Sequence, residues 1–411
     1  MPCEQQESGV PPARYVVGVD VGSTVVKCHV YDRAAAVRGS SCRKVESIYP
    51  RPGWVELDPE VLWSQFVGVI KEAVQVAGLH MRQIAGLGIS TQRGTFITWH
   101  KRTGKPFHNF ISWQDSRSAE LVNSWNKSLL LKVVHVIFTI LHFLTGNDRY
   151  LAPSFLTFST QQASMKLSWV FKNIYEAEEA AKKNNCCFGT IDTWLLYRLT
   201  KGSVYATDCS NASATGIFEP YTKCWSPTLC SLLSIPTSIY PSVKDTSFNF
   251  GSADSEIFGV PIPIMAMVSV NDPYLCASFM GLKPSTTRNH LVRAILESVA
   301  FRNKQLYDII VKDVRIPLQN IRADGGVSNN SFVMQMTSDL INKKIEKPAN
   351  ADMSSLGAAF LAGLASGFWS DKEQLKKLRR IEAVFEPQKD SEEYKPAMDT
   401  WLQAMKRSLR W

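Results

Sequence analysis

Tyr15-Val16-Val17-Gly18-Val19-Asp20, then Val21-Gly22-Ser23-Thr24, then Val25-Val26-Lys27-Cys28-His29-Val30-Tyr31 is the stretch whose reading decides the fold. The first run is apolar and β-rich up to an aspartate. In the last run Val26, Cys28 and Val30 alternate with Lys27, His29 and Tyr31, the period of two expected of a half-buried strand. Together they predict a β-hairpin with Gly-Ser-Thr at its tip and a carboxylate at the end of its first strand.

Outward from the hairpin, Asp58-Pro59-Glu60 predicts a helix start, with an acidic cap, Pro at the first helical position and Gly78 as the stop. Leu62, Phe66, Val69, Ile70, Ala73 and Ala77 fall on one face of it. Strands are predicted over 84–90 and 95–99, separated by the polar break Gln92-Arg93-Gly94. Strands alternating with amphipathic helices indicate an α/β layer architecture.

Ser, Pro, Asp and Gly cluster over 236–263, which places a domain boundary there. Beyond it come a strand over 264–268, a long helix over 291–311 with Val292, Ile295, Leu296 and Val299 on one face, and a strand over 321–324. A tight turn at Gly325-Gly326 precedes a helix over 331–341. Residues 354–369, rich in Ala, Gly and Leu, predict a helix packed closely on its neighbours.

The 411 residues are 45% hydrophobic and 20% charged, which excludes disorder, collagen and a coiled coil and gives room for two or three domains with a cleft. The net charge is +9, but basic pairs such as Lys182-Lys183 and Arg379-Arg380 stand beside acids, and the last 41 residues carry ten basic and eight acidic side chains. These read as solvated helix faces, so no nucleic-acid partner is expected. Nine cysteines, an odd number with no Cys-x-x-Cys pair, point to reduced thiols and a cytoplasmic setting.

Residues 1–14 are polar and Pro-rich, lack the apolar core of a secretory signal and read as a disordered lead-in. Residues 129–144 form an apolar run broken by Lys132, His135 and His142, and its 16 residues fall short of the ~20 a membrane span requires. A buried core helix is the first reading and a hydrophobic anchor the other; no transmembrane span is expected.

Three features bear on chemistry. At Asp20-Val21-Gly22-Ser23-Thr24, with Lys27 close by, a carboxylate, backbone amides, hydroxyls and a cation offer what a triphosphate and Mg²⁺ need, although the same residues also suit an ordinary hairpin turn. At Ala323-Asp324-Gly325-Gly326 paired glycines allow a ligand near the backbone at a helix start, or simply turn the chain. At Gln92-Arg93 and Trp113-Gln114-Asp115-Ser116-Arg117, Arg93 can donate to a polyol hydroxyl and Trp113 can pack on its carbons, while Arg117 can instead pair with Asp115.

In order, these segments resemble the FGGY carbohydrate kinases of the glycerol kinase type, from Tyr15 to about Trp369. The resemblance rests on Gly18 to Thr24, Ser90-Thr91-Gln92-Arg93, Trp113 to Arg117, and Gly189-Thr190-Ile191-Asp192-Thr193-Trp194 running on to Tyr197. It continues through Ala206-Thr207-Asp208 to Ser213, Asp324-Gly325-Gly326 with Asn330, and Leu356-Gly357-Ala358-Ala359. It implies two actin-like, ribonuclease-H-like domains, ATP and Mg²⁺ as cofactors and a small polyol as substrate, with self-association left open. The implied nucleotide residues are Asp20, Gly22, Ser23, Thr24, Lys27, Gly325, Gly326 and Asn330, with Asp20 at the metal. Arg93 and Trp113 are implied at the polyol, and the domains as 15–260 and 261–385, with a helical tail over 386–411.

The sequence departs from that pattern after Gly259-Val260-Pro261-Ile262-Pro263-Ile264. Glycerol kinases continue there into Asp-Gln-Gln, whose Asp is the catalytic base, and later into a Gly-Thr-Gly phosphate clamp. This chain reads Met265-Ala266-Met267-Val268-Ser269-Val270 and then Asn271-Asp272-Pro273-Tyr274, which resembles a much later family segment. The second domain is thus expected to lack on the order of 100 residues. Asp272 sits in a common turn sequence and is not expected to replace the base. Gly94 stands where the family carries an acid, and Gln161 where it carries a substrate-contacting Tyr. The expectation is a glycerol or related polyol kinase by resemblance, weakly active or inactive in this form, with a non-catalytic nucleotide-binding or regulatory role as the alternative.

Overall fold

The computed structural model describes residues 14–147, 150, 154, 156–219, 221–270, 282–314, 318, 320–349 and 352–408. By packing they form two units, one drawn from Met1–Pro273 and Ser354–Gln374, the other from Tyr274–Met353 and Leu375–Trp411. Residues 354–374, well past the boundary expected from composition, therefore pack with the first unit. Residues 1–13 of the lead-in expected over 1–14, and the stretch holding Asp272, lie outside the described residues.

The first unit is built on a six-stranded sheet. Its strands are β1 (Tyr15–Val21), β2 (Val25–Tyr31), β3 (Val37–Lys44), β4 (Ile84–Gln92), β5 (Ser252–Ala253) and β6 (Ile262–Val270), in the order β5-β6-β4-β1-β2-β3. The hairpin is as expected, with Asp20 opposite Lys27 and Val17 opposite Val30. β4 runs parallel to β1, and β6 runs parallel to β4, so these three strands end on the same edge. Asp20 there faces Ser90, and Ser269 faces Thr91.

Helix α1 (Pro59–Val76) covers one face of the sheet. Asp58 caps it, accepting from the backbone N–H groups of Glu60 and Val61, and Leu62, Phe66, Val69, Ile70 and Ala73 join Val17, Val19, Val26 and Val30 in the core. A second small sheet contains Phe96–His100 and Cys186–Thr190 and closes another core around Phe96, Phe188, Met165 and Leu167. On the far side of Cys186–Thr190, Asp192 begins the helix Ile191–Leu199 fully buried, and accepts hydrogen bonds from Thr190 (2.5 Å) and Thr207 (2.7 Å).

Burial, and next the nearby Asp208 carboxylate, push the Asp192 carboxyl up to about 7. An acid whose folded pKa lies above its unfolded value holds its proton in the folded state while releasing it in the unfolded one. Stability therefore falls as pH rises from about 4 to 7, by up to about 1.4 kcal/mol per pH unit. In urea titrations at pH 5 and pH 7, Asp192→Asn is expected to lose most of that pH dependence relative to the wild type. Parallel pH profiles for the two proteins would contradict it.

Helices α2 (Ala119–Lys127) and α3 (Leu129–Thr145) follow, and α3 corrects an expectation. The apolar run is helical, but it is not a core helix: Leu131 is buried while Leu129, Leu130, Val133, Val136, Ile137, Ile140, Phe143 and Leu144 are exposed. Apolar residues all round a helix suggest burial, yet here only one side has protein against it. No single helix among the described residues is long and apolar enough to cross a membrane.

The second unit holds a three-stranded sheet of β7 (Ile321–Arg322), β8 (Ile345–Pro348) and β9 (Ile381–Phe385), with helices α4 (Arg288–Ile309) and α5 (Ser331–Ile341). The stripe expected on α4 divides. Leu296 and Val299 pack against Val333, Met334 and Ile345, whereas Val292 and Ile295 are about half exposed.

Helix α6 (Met353–Ala365) belongs to the first unit and lies on the sheet face opposite α1. Glycines make the approach possible: a Cβ on Gly18 would stand 2.0 Å from the Ser355 carbonyl oxygen, and one on Gly88 2.0 Å from that of Ala358. Gly86 faces the same helix less tightly, a Cβ there standing 3.6 Å from the Ala362 carbonyl oxygen. Since Gly18 pairs with Gly88 across β1 and β4, α6 runs antiparallel to both strands, and its N-terminus points toward the edge that carries Asp20. Ser355 fixes it there through hydrogen bonds with the Tyr31 hydroxyl (2.8 Å) and His29 Nδ1 (3.0 Å).

Candidate active site

The carboxyl ends of β1, β4 and β6 meet the hairpin tip, and parallel sheets usually bind ligands at that edge. Asp20, next to last in β1, is half-buried with Lys27 opposite it, so a negative and a positive side chain share one face of the hairpin. Gly22 turns the chain, its N–H donating to the Val25 carbonyl at 3.1 Å, and Thr24 is exposed.

Ser23, expected at the phosphates, is the centre of a hydrogen-bonded knot. Its hydroxyl accepts from Trp113 Nε1 at 2.9 Å and donates to Gln92 Oε1 at 3.2 Å, while Gln92 Nε2 donates to the Gly22 carbonyl at 3.1 Å. Thr95 completes the knot by donating to Gln92 Oε1 (3.1 Å) and accepting from the Trp113 backbone N–H (3.1 Å). The hairpin tip, the end of β4 and Trp113 thus form one hydrogen-bonded corner, which joins the expected phosphate residues to an expected polyol residue. Trp113 is only 8% exposed, so most of its indole is already packed.

Arg93 extends from the end of β4 to β6, where its Nε donates to the Ser269 hydroxyl at 2.9 Å and its Nη2 to the Ser269 carbonyl at 3.4 Å. Behind Ser269, Ser210 accepts from the Ser269 backbone N–H (2.9 Å) and donates to Asp208 Oδ2 (2.7 Å). Asp208 is fully buried and also accepts from Thr246 and Asn211. Sequence reading missed Ser269, Ser210 and Asp208 as supports for Arg93. The Ala206–Ser213 motif was visible, but nothing in it says which strand it touches.

Gly94 follows in the left-handed region at φ +72°, and a Cβ there would stand 2.9 Å from the Gln161 carbonyl oxygen. The turn is built around a glycine, and an acid at this position would be strained.

The segment carrying Trp113 is held from behind. Arg117 makes a two-pronged pair with the fully buried Asp115 (2.8 Å for each prong) and reaches Glu56 at 2.7 Å, and its guanidinium lies 3.9 Å from the Trp54 ring centre. This is the pairing weighed from sequence as the structural reading of Arg117. Lys166 donates to the Ser112 carbonyl at 2.7 Å, and burial pulls its ammonium down to about 7. A lysine cannot reproduce the planar fork or its stacking on Trp54. Arg117→Lys is therefore expected to cost about 2 kcal/mol in urea unfolding. An unchanged midpoint would mean that the fork is not what holds this segment.

Gly325, Gly326 and Asn330 belong to the second unit and form their own corner. Gly325 sits at φ +86°, Gly326–Asn329 makes a 3₁₀ turn, and the Asn330 side chain caps α5 by accepting from the Val333 N–H at 3.2 Å. Among the described residues no group of three or more His, Cys, Asp or Glu is arranged to hold a metal ion. A single carboxylate on one residue, as at Asp20, nevertheless suits Mg²⁺, which commonly takes one or two carboxylates and completes its shell with water and phosphate oxygens.

Residues 15–270 match the N-terminal domain of the FGGY family of carbohydrate kinases, and residues 254–366 match its C-terminal domain. Glycerol kinase 5 of Gallus gallus is 69% identical over all of both chains, in an alignment of 517 positions. That of Homo sapiens is 51% identical, covering 97% of this chain and 96% of its own. Among solved structures, Plasmodium falciparum glycerol kinase with ADP superposes with a TM-score of 0.79 at 24% identity, covering 97% of this chain and 99% of that one. A ligand-bound xylulose kinase from Lactobacillus acidophilus superposes with a TM-score of 0.75 at 17% identity, covering 97% and 99%.

Proposed function

The chain belongs to the FGGY family of carbohydrate kinases, phosphotransferases that act on an alcohol group, and from that membership we propose that it binds MgATP and a glycerol-like polyol, with phosphoryl transfer weak or absent in this 411-residue form. Asp20 would hold Mg²⁺, with Lys27, Thr24 and the backbone around Gly22 at the phosphates and Gly325, Gly326 and Asn330 at the nucleoside. Arg93 and Trp113 would orient the polyol. Bound Mg²⁺ would neutralise phosphate charge, while the protein's part is positioning and charge.

The weak-transfer reading draws on one juxtaposition: Arg93 meets the Ser269 hydroxyl on β6, in the stretch Met265-Ala266-Met267-Val268-Ser269-Val270 that stands where glycerol kinases lead into Asp-Gln-Gln. A serine hydroxyl alone does not take up a proton near neutral pH, and a missing general base typically removes 10²–10⁴-fold of rate. Two further facts agree with an incomplete second domain. The alignment with the Gallus gallus protein runs 106 positions beyond the 411 residues of this chain. The apolar residues Val292, Ile295, Leu306 and Ile309 of α4 are exposed, as they would be if partner elements were absent.

The alternative, a nucleotide-binding regulatory form, draws on the same Asp20–Lys27 hairpin and on the same departure from the family sequence after Ile264. A cytoplasmic setting fits the nine cysteines, odd in number and without paired spacing.

Calorimetry with ATP and Mg²⁺, paired with an assay for glycerol 3-phosphate, tests the reading. ATP binding that weakens at least tenfold in Asp20→Asn, with turnover near background, is the expected result. Robust turnover by the wild type would overturn the weak-transfer reading, and absence of ATP binding would overturn the nucleotide site itself.

A further inference from the structure

The outer face of α3 has no role in the site described above. At about 100° per residue, its exposed side chains Leu129, Leu130, Val133, Val136, Ile137, Ile140, Phe143 and Leu144 fall within an arc of about 140°. Phe143 is 86% exposed, Leu129 77% and Leu144 72%. The opposite side of the same helix is the docked one. Leu131 is buried there, His135 Nε2 bonds the Leu156 carbonyl at 2.6 Å, and Phe138 packs against Tyr150. The helix is thus apolar on two sides, and the protein covers only one.

We propose that this outer face seats the protein on an anionic phospholipid surface, with α3 lying in the plane of the interface. Charge selects the partner: from Leu121 to Asn147 the chain has no Asp or Glu, while Lys127, Lys132, His135 and His142 supply the ionisable groups. Lys132 sits at the margin of the apolar arc, where an ammonium reaches headgroup phosphates while its stem stays on apolar surface. The arc itself carries no polar side chain with which to orient a protein partner, whereas a specific protein interface needs a polar rim. A lipid boundary requires only apolar depth with cationic flanks.

Crossing the membrane is not the geometry. The 17 residues of α3 span about 25 Å, less than the ~30 Å hydrocarbon core, and α2 meets α3 at a 55° bend.

The test is co-sedimentation of the full chain with vesicles of phosphatidylcholine alone and of phosphatidylcholine mixed with phosphatidylserine. The chain should pellet with both, about tenfold more tightly when phosphatidylserine is present. Ile137→Ser combined with Ile140→Ser, and separately Phe143→Ser, should each lower binding to both vesicles at least about fivefold while leaving the urea midpoint unchanged. Lys132→Gln should narrow the preference for phosphatidylserine and leave binding to phosphatidylcholine alone as it was. A wild-type chain that stays in the supernatant with both vesicles would overturn the proposal. So would a dimer in light scattering that the serine variants dissolve without any vesicle binding, since the face would then belong to a second copy of the chain.

Discussion

Gly88→Ala is expected to destabilise the first unit by at least about 3 kcal/mol in urea unfolding, enough to leave much of the protein unfolded at 37 °C. The methyl group would stand 2.0 Å from the Ala358 carbonyl oxygen and 2.4 Å from its carbon. Those are backbone atoms of α6, so no rotamer change can make room. β4 cannot move away either, because β1 pairs with it on one side and β6 on the other. Relief requires α6 to lift off the sheet, which strains the bonds of Ser355 with Tyr31 and His29 beside the Asp20 edge. Gly68→Ala is the contrasting case. It lies inside α1 with nothing within 4 Å of the added carbon, and it should stabilise by about 0.5–1 kcal/mol through lost backbone entropy in the unfolded chain. Equal midpoints for the two variants would show that α6 is not held as closely as described.

What the sequence could announce was local. The hairpin, the Asp58 cap of α1 and the bounds of α5 follow from periodicity and capping within about a dozen residues, and the structure places all three where the pattern does. The small residues of α6 announced close packing, but not its partners, because Gly18 and Gly88 lie in strands hundreds of residues earlier. The same distance hid the supports of the site. Arg93 and Ser269 are 176 positions apart, and Trp113 and Ser23 are 90 apart. Each is an ordinary polar residue until the sheet brings it to the shared edge. The exposure of α3 was illegible for another reason: periodicity can show that a helix has apolar sides, but not how many of them the fold covers.

Arg93→Ala is expected to weaken binding of glycerol or its best-bound relative at least about 100-fold, while ATP binding changes less than about twofold. The argument begins with the guanidinium's five donors, two of which are spent on Ser269. Those two bonds fix the plane of the fork, so a ligand hydroxyl meets it already oriented and little side-chain entropy is lost on binding. Arg93→Lys keeps the charge but not the fork, and should recover only part of the loss. Ser269→Ala leaves every donor in place but releases the plane, so it should weaken polyol binding by about threefold to tenfold through positioning alone. Asp20→Asn should do the reverse, weakening ATP and sparing the polyol, because the carboxylate lies near the end of β1 while Arg93 follows β4. Calorimetry measures all four variants without requiring turnover, so the test stands whether or not the chain transfers phosphate. Equal loss of both ligands in Arg93→Ala would mean that Arg93 holds the corner together rather than contacting the polyol, and unchanged polyol binding would remove it from the site.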